Sequence, residues 1–271
     1  MTTATPKAVA AALAAQHERR VPPLGGLNAT FLRLEVRRSL RNRRTLIFLF
    51  VFPVVLFALI AGPQINKHID GPGSPSIGPY IMISMAVYGA MVACTSGGAM
   101  VATERALGWS RQLRLTPLRP AAYVATKLLT AMVLGLIAVL VMMVVGALFG
   151  VRMPAHIWVL SGLAAWLGAI VFAAFGLFVG YLLPAENAMQ FIGPLLGIMA
   201  FFGGLFQPVS TMGHSLQIIA KFMPVYGVGV LARSPLTHES VDAVAIVNML
   251  AWVVVFGFGA MLLFRRDTKR V

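Results

Sequence analysis

The sequence predicts an all-α integral membrane protein. Six transmembrane helices are expected, with an N-terminal interfacial amphipathic helix, a short cytoplasmic helix between spans two and three, and a short outer re-entrant helical segment before the last span. Three observations lead there. Of 271 residues, 59% are apolar and only 11% charged, whereas a soluble domain carries roughly 25% charge; mean hydropathy is +0.85. The charges are also segregated, leaving six charge-free windows long enough to cross a hydrocarbon core, which takes roughly 20 apolar residues. Finally, Lys and Arg gather on one side of those windows.

The windows run from Leu46 to Asn66, Ile77 to Thr103, Leu128 to Val151, Met153 to Ala185, Asn187 to Ala220 and Ala243 to Phe264. The fourth and fifth exceed one membrane thickness, and their Gly and Pro residues mark where helices stop. Spans are therefore expected at about 46–65, 77–102, 124–149, 157–183, 188–208 and 243–264. The first follows a long basic segment and leads into further spans, which fits a retained anchor better than a short cleavable signal. Alternating the connections puts eighteen of the 22 Lys and Arg on one side. These lie in the N-terminal segment, the second-to-third connection (Arg105, Arg111, Arg114, Arg119, Lys127) and the tail (Arg265, Arg266, Lys269, Arg270). Lys67, Arg152, Lys221 and Arg233 fall on the other side, so the positive-inside rule makes both termini cytoplasmic. The net charge of +14 is then a topology signal. Anionic lipid is its partner; no aromatic-interleaved basic domain points to nucleic acid.

Residues 1–26 are Ala-rich and broken by Pro6, Pro22, Pro23, Gly25 and Gly26, the composition of a flexible cytoplasmic tail. Over 27–45 the pattern changes. Leu27, Phe31 and Leu34 recur at helical spacing and Arg33, Arg37, Arg41 and Arg44 recur on another face, as in an amphipathic helix lying in the interface. The alternative is a plain charged stop before the first span. The six spans fill 46–266, and 267–271 form a second cytoplasmic tail. Between spans two and three, Trp109 and Leu113 are four apart and Arg111 and Arg114 three apart, ahead of the helix stop Pro117. Two readings stand side by side: a short helix that sets an apolar knob into a groove of a soluble partner, or a positive loop resting on lipid. From Gly203 to Asp242 the chain is apolar but broken by Gly203, Gly204, Pro208, Gly213, Pro224, Gly227, Gly229 and Pro235. Such backbone must be sheltered by protein, which predicts the outer re-entrant or interfacial element.

Much chemistry is missing. No Lys precedes Ser or Thr, which excludes a GxxxxGK[ST] phosphate loop. The five His and eight acids are scattered without ligand spacing, so no metal site and no catalytic residues are assigned. Cys94 stands alone. Glu104 and Asp267 read as edge residues, and Glu186 as punctuation between spans four and five. The spans carry no ionisable residue away from their ends, unlike ion-coupled pumps; energy for active transport would come from another subunit. Gly146/Gly150, Gly176/Gly180 and Gly193/Gly197 would allow close helix contacts, though such spacings also arise by chance among 26 glycines. Pro53 and Pro194 would kink their helices. Phe201, Phe202, Phe206 and Gln207 either pack in the bundle or line a pathway for a bulky apolar substrate.

Several segments together resemble the type-2 permeases of ATP-binding cassette (ABC) transporters. They are the basic interfacial helix, the six-span pattern, Glu104-Arg105 leading through Leu115-Thr116-Pro117-Leu118 to Tyr123 and Lys127, and Gly204-Leu205-Phe206-Gln207-Pro208 followed by Phe222-Met223-Pro224-Val225-Tyr226. The likeness covers about 27–266. It implies a permease dimer, of identical or different subunits, in the bacterial inner membrane. The dimer works with separate ATPase subunits that hold ATP and Mg, and exports a drug, antibiotic, lipid or polysaccharide-like substrate. By position, 28–44 correspond to the connecting helix, 104–116 to the coupling helix that docks on the ATPase (Glu104, Arg105, Trp109, Arg111, Leu113, Arg114), and 210–240 to the short outer helices. The chain departs from the pattern after Gly108, where Trp109, Ser110 and Arg111 replace a frequent second acid; Trp109 and Arg111 would carry more of the contact. Set against this are a non-transporting membrane assembly or immunity-type protein that binds lipid or a soluble signalling partner and, last, an intramembrane enzyme.

Overall fold

The computed structural model describes residues 28–42, 46–69, 76–108, 120–237 and 242–269. Among them all regular structure is helical. In chain order these are α1 (Ala29–Leu40), a π-helical turn (Ile47–Val51) running into α2 (Phe52–Ile60), a 3-10 turn (Gly62–Gln64), α3 (Ile77–Ala106) and α4 (Pro120–Leu148). Then follow α5 (Ala155–Gly168), α6 (Ile170–Leu182), α7 (Ala185–Phe202), a 3-10 turn (Val209–Thr211), α8 (His214–Phe222), α9 (Pro224–Thr237) and α10 (Ala243–Lys269).

Four helices are long and apolar enough to cross a membrane: Ile77–Ala106, Ala121–Leu148, α5 with α6 over Ala155–Leu182, and Ala243–Asp267. The pair α8 and α9, bent by 94°, makes a fifth if taken as one span. The chain is thus a multi-pass helical membrane protein with four to five spans of full length, against six expected. The difference falls on the first and fifth windows. In the first, Pro53 lacks the N–H that would close a regular turn and a π-turn precedes it, while Gly62 and Pro63 end the helix in a 3-10 turn, leaving the shorter apolar stretch Leu49–Gln64. The fifth stops at Phe202 because Gly203 and Gly204 turn the chain, Gly204 with a φ of 78°. Elsewhere the helices overrun the charge-free windows, to Ala106, back to Pro120 and on to Lys269. Glu104, Arg105 and Lys127 therefore sit inside regular helix.

Helix α3 is the axis. It is buried almost throughout, packed between α4 and α6 with α5, α7 and α9 around it. Lipid is as apolar as a leucine side chain, so helices associate there through close packing rather than through exclusion from water. The small residues of α3 supply that closeness. A Cβ on Gly98 would lie 2.5 Å from the Leu177 nitrogen, and one on Gly176 would lie 2.3 Å from the Thr95 carbonyl oxygen. Cys94 Sγ donates to the Ala131 carbonyl at 3.3 Å and Thr95 Oγ1 to that of Phe172 at 3.4 Å. Of the three Gly pairs, only Gly176/Gly180 meets neighbouring backbone at both positions. Gly146 abuts the Met82 side chain, Gly150 is a turn with a φ of 85°, and Gly193 and Gly197 have nothing within 4 Å.

The bend between α8 and α9 is held by α10. Asn248 Nδ2 donates to the Lys221 carbonyl at 2.8 Å, and its Oδ1 accepts from Gly227 N at 3.2 Å. The Trp252 indole N–H donates to the Phe222 carbonyl at 3.0 Å. These bonds serve backbone groups that a broken helix leaves free and that hydrocarbon cannot satisfy.

Gly176→Val should lower the thermal midpoint of the purified protein, since an overpacked backbone contact costs about 1–3 kcal/mol. Gly193→Ala, facing open space, should leave it unchanged.

Candidate functional site

Sequence periodicity put the arginines of α1 on one face; in the structure Arg33, Arg37 and Arg41 are exposed. Arg44 lies outside the described residues. Asn28 caps the helix, accepting from Thr30 N at 2.9 Å. The opposite face does something the sequence reading missed. Glu35, the lone acid among these arginines, is buried against α4 and accepts a hydrogen bond from Lys127 Nζ.

Lys127 is the centre of a charged knot. Its side chain is 2% exposed, and it donates to both Glu35 and Glu104, whose side chain is also 2% exposed. Arg38 Nη1 reaches the same Glu104 oxygen at 2.9 Å, and the Tyr123 hydroxyl donates to the other. Lys127 also lies 5.4 Å from the Tyr123 ring centre. Helical spacing makes this possible: Glu35 and Arg38 are three apart on α1, Tyr123 and Lys127 four apart on α4. Two carboxylates face two cations, so the knot is neutral, and every oxygen of Glu104 is used. Removing one partner from such a cluster strands a buried charge.

The next residue points the other way. Arg105 makes a two-pronged pair with Asp267 of α10, Nε at 3.1 Å and Nη2 at 2.8 Å. Its Nη1 donates to the carbonyls of Gly180 at 3.1 Å and Tyr181 at 3.0 Å, capping the end of α6. Glu104 and Arg105 thus tie the end of α3 to α1, α4, α6 and α10, immediately before the 109–119 connection. Glu104, expected at the cytoplasmic edge, is enclosed by its neighbours. Trp109, Arg111, Leu113 and Arg114 lie outside the described residues. Through these two residues the end of α3 is joined to four other helices.

The expectation that the spans carry no ionisable residue away from their ends did not foresee how many charges near or between spans are enclosed by the bundle. Besides Lys127 and Glu104, Arg233 of α9 is only 5% exposed. Its Nη1 donates to Ser84 Oγ at 2.9 Å, and its guanidinium lies 4.7 Å from the Tyr80 ring centre. Gly229 makes room for it: a Cβ there would come 3.2 Å from Nη2. Arg233 lies in the broken segment expected to form an outer re-entrant or interfacial element, and nothing local in that segment marks it as enclosed.

The four candidate pathway residues do not converge. Phe201 is 48% exposed and packs edge-on against Phe202 at 5.4 Å. Phe206 turns inward, 5.7 Å from Tyr88, and Gln207 is half-buried beyond it. The glycine turn at 203–204 separates the two pairs.

Residues 28–235 match the family model described as ABC-2 type transporter. Over 224 residues the chain is 25% identical to "Putative transport permease YvfS" of Bacillus subtilis (strain 168), an alignment covering 82% of this chain and 90% of that protein.

Lys127→Met should destabilise the protein strongly, by about 3–5 kcal/mol, because Glu35 and Glu104 lose their shared cation. Pairing it with Glu35→Leu should restore part of the loss, as read from thermal unfolding of the detergent-purified protein.

Proposed function

The chain belongs to the ABC-2 type transporter family, and from that premise we propose that it is the permease subunit of an ATP-driven exporter. It forms the substrate pathway as a dimer with a second permease subunit. Separate ATPase subunits, which hold ATP and Mg, dock on residues 104–116. The chain itself performs no catalysis. It resides in the bacterial inner membrane with both termini in the cytoplasm, as the eighteen-to-four division of Lys and Arg favours. The windows at 46–65 and 188–208 complete six passes, the short helix Leu49–Gln64 and α7 being backed by the second subunit.

One observation carries the coupling reading: Glu104 and Arg105 splay to opposite sides of α3 and bind four helices at the root of the 109–119 connection. A coupling element must interact differently in two states of the bundle. Closure of the ATPases displaces the connection, and the knot passes that displacement to α1 and α4 on one side and to α6 and α10 on the other. Trp109 and Arg111 make the outward contact, while Glu104 and Arg105 transmit it. A lipid-binding or immunity-type role would need no such four-way tie.

In proteoliposomes holding the permease with its ATPase, Trp109→Ala combined with Arg111→Ala should abolish transport while the inserted dimer persists. Transport at the original rate would place the coupling contact elsewhere. A stoichiometric ATPase should also co-purify under mild solubilisation.

A further inference from the structure

At the end of α10 remote from the charged knot, the surface holds an apolar groove with one cation at its rim. The cavity measures about 540 Å3, within the usual range for small-molecule sites, and runs along Phe222, Val247, Ala251, Trp252 and Val255 beside Lys221. Its polar groups are already committed. Asn248 binds the Lys221 carbonyl and Gly227 N, and the Trp252 indole binds the Phe222 carbonyl. What remains facing outward is hydrocarbon and an ammonium group.

Lys221 is exposed, and its own helix surrounds it with apolar surface: Ile218, Ile219 and Phe222 are 49%, 43% and 69% exposed. Among the described residues no carboxylate lies within ion-pair distance of it. Asp242, at the start of α10, caps that helix through Val244 N at 2.9 Å. An ammonium emerging from a surface built for acyl chains is costly without an anion, although its stem can rest on the apolar wall. A second copy of this chain is the poorer occupant. A two-fold contact would set this patch against itself, Lys221 included, and none of the described residues lining the groove is an acid.

We propose that the groove binds one anionic glycerophospholipid, an acyl chain lying along α10 and the phosphate resting on the Lys221 ammonium. The site depends on neither the ATPase nor the transported substrate.

The test uses the full chain in nanodiscs of phosphatidylcholine. Phosphatidylglycerol or phosphatidylcholine with brominated acyl chains is titrated in, and quenching of Trp252 is read as the difference between wild type and Trp252→Phe. Brominated phosphatidylglycerol should quench at roughly fivefold lower mole fraction, the advantage of one lysine beside an anionic head group. Lys221→Gln should erase that preference and Lys221→Arg should keep it. Ala251→Phe, which fills the groove, should weaken quenching by both lipids. Equal quenching by the two lipids in wild type would overturn the proposal, as would a preference that survives Lys221→Gln. Protection of Trp252 from both lipids would also overturn it, by placing protein on this face.

Discussion

A polar group inside hydrocarbon has no water to turn to, and the fold is arranged around that constraint. Where the backbone breaks, side chains from a neighbouring helix step in: Asn248 and Trp252 at the bend between α8 and α9, Arg105 at the end of α6. Where a charge is enclosed, it comes with opposites. Lys127 lies between two glutamates and Arg38 restores the balance. Arg233 is the exception among these, held by a hydroxyl and an aromatic ring.

The same constraint shapes the end of the bundle that leads towards residues 109–119. Small residues let α3 touch α6 backbone to backbone. Below that contact, two consecutive residues of α3, Glu104 and Arg105, form ion pairs with α1 and with the end of α10. The outer faces are different. Val247, Leu250, Val254 and Phe258 of α10 and Phe191, Ile198 and Phe201 of α7 are open, surfaces for lipid or another subunit to cover.

Much of this was legible in the residues. Charge-free windows located α3, α4, α5 with α6, and α10, because a helix that crosses lipid must be apolar along its whole length. Arginine spacing gave α1 its outward face. The Glu104-Arg105 pair stood out by resemblance, although its surroundings did not. Glu35 offered a signal, being the one acid in a basic helix, but nothing local said that its partner lay 92 residues away on α4. The helices α3 and α4 run a few residues past the expected 77–102 and 124–149, at the end where Lys127 and Glu104 meet as an ion pair.

The sequence alone determined that this chain lives in a membrane, that it is helical, and which of its ends are rich in positive charge; these follow from transfer energies summed along short stretches, which need no knowledge of neighbours. Only the tertiary structure decided that the first and fifth windows form shorter helices, that Gly176 rather than Gly193 is a contact, and that Lys127, Glu35 and Glu104 meet. Those outcomes depend on which surfaces approach each other across the bundle, and a pairing energy exists only once both partners are in place.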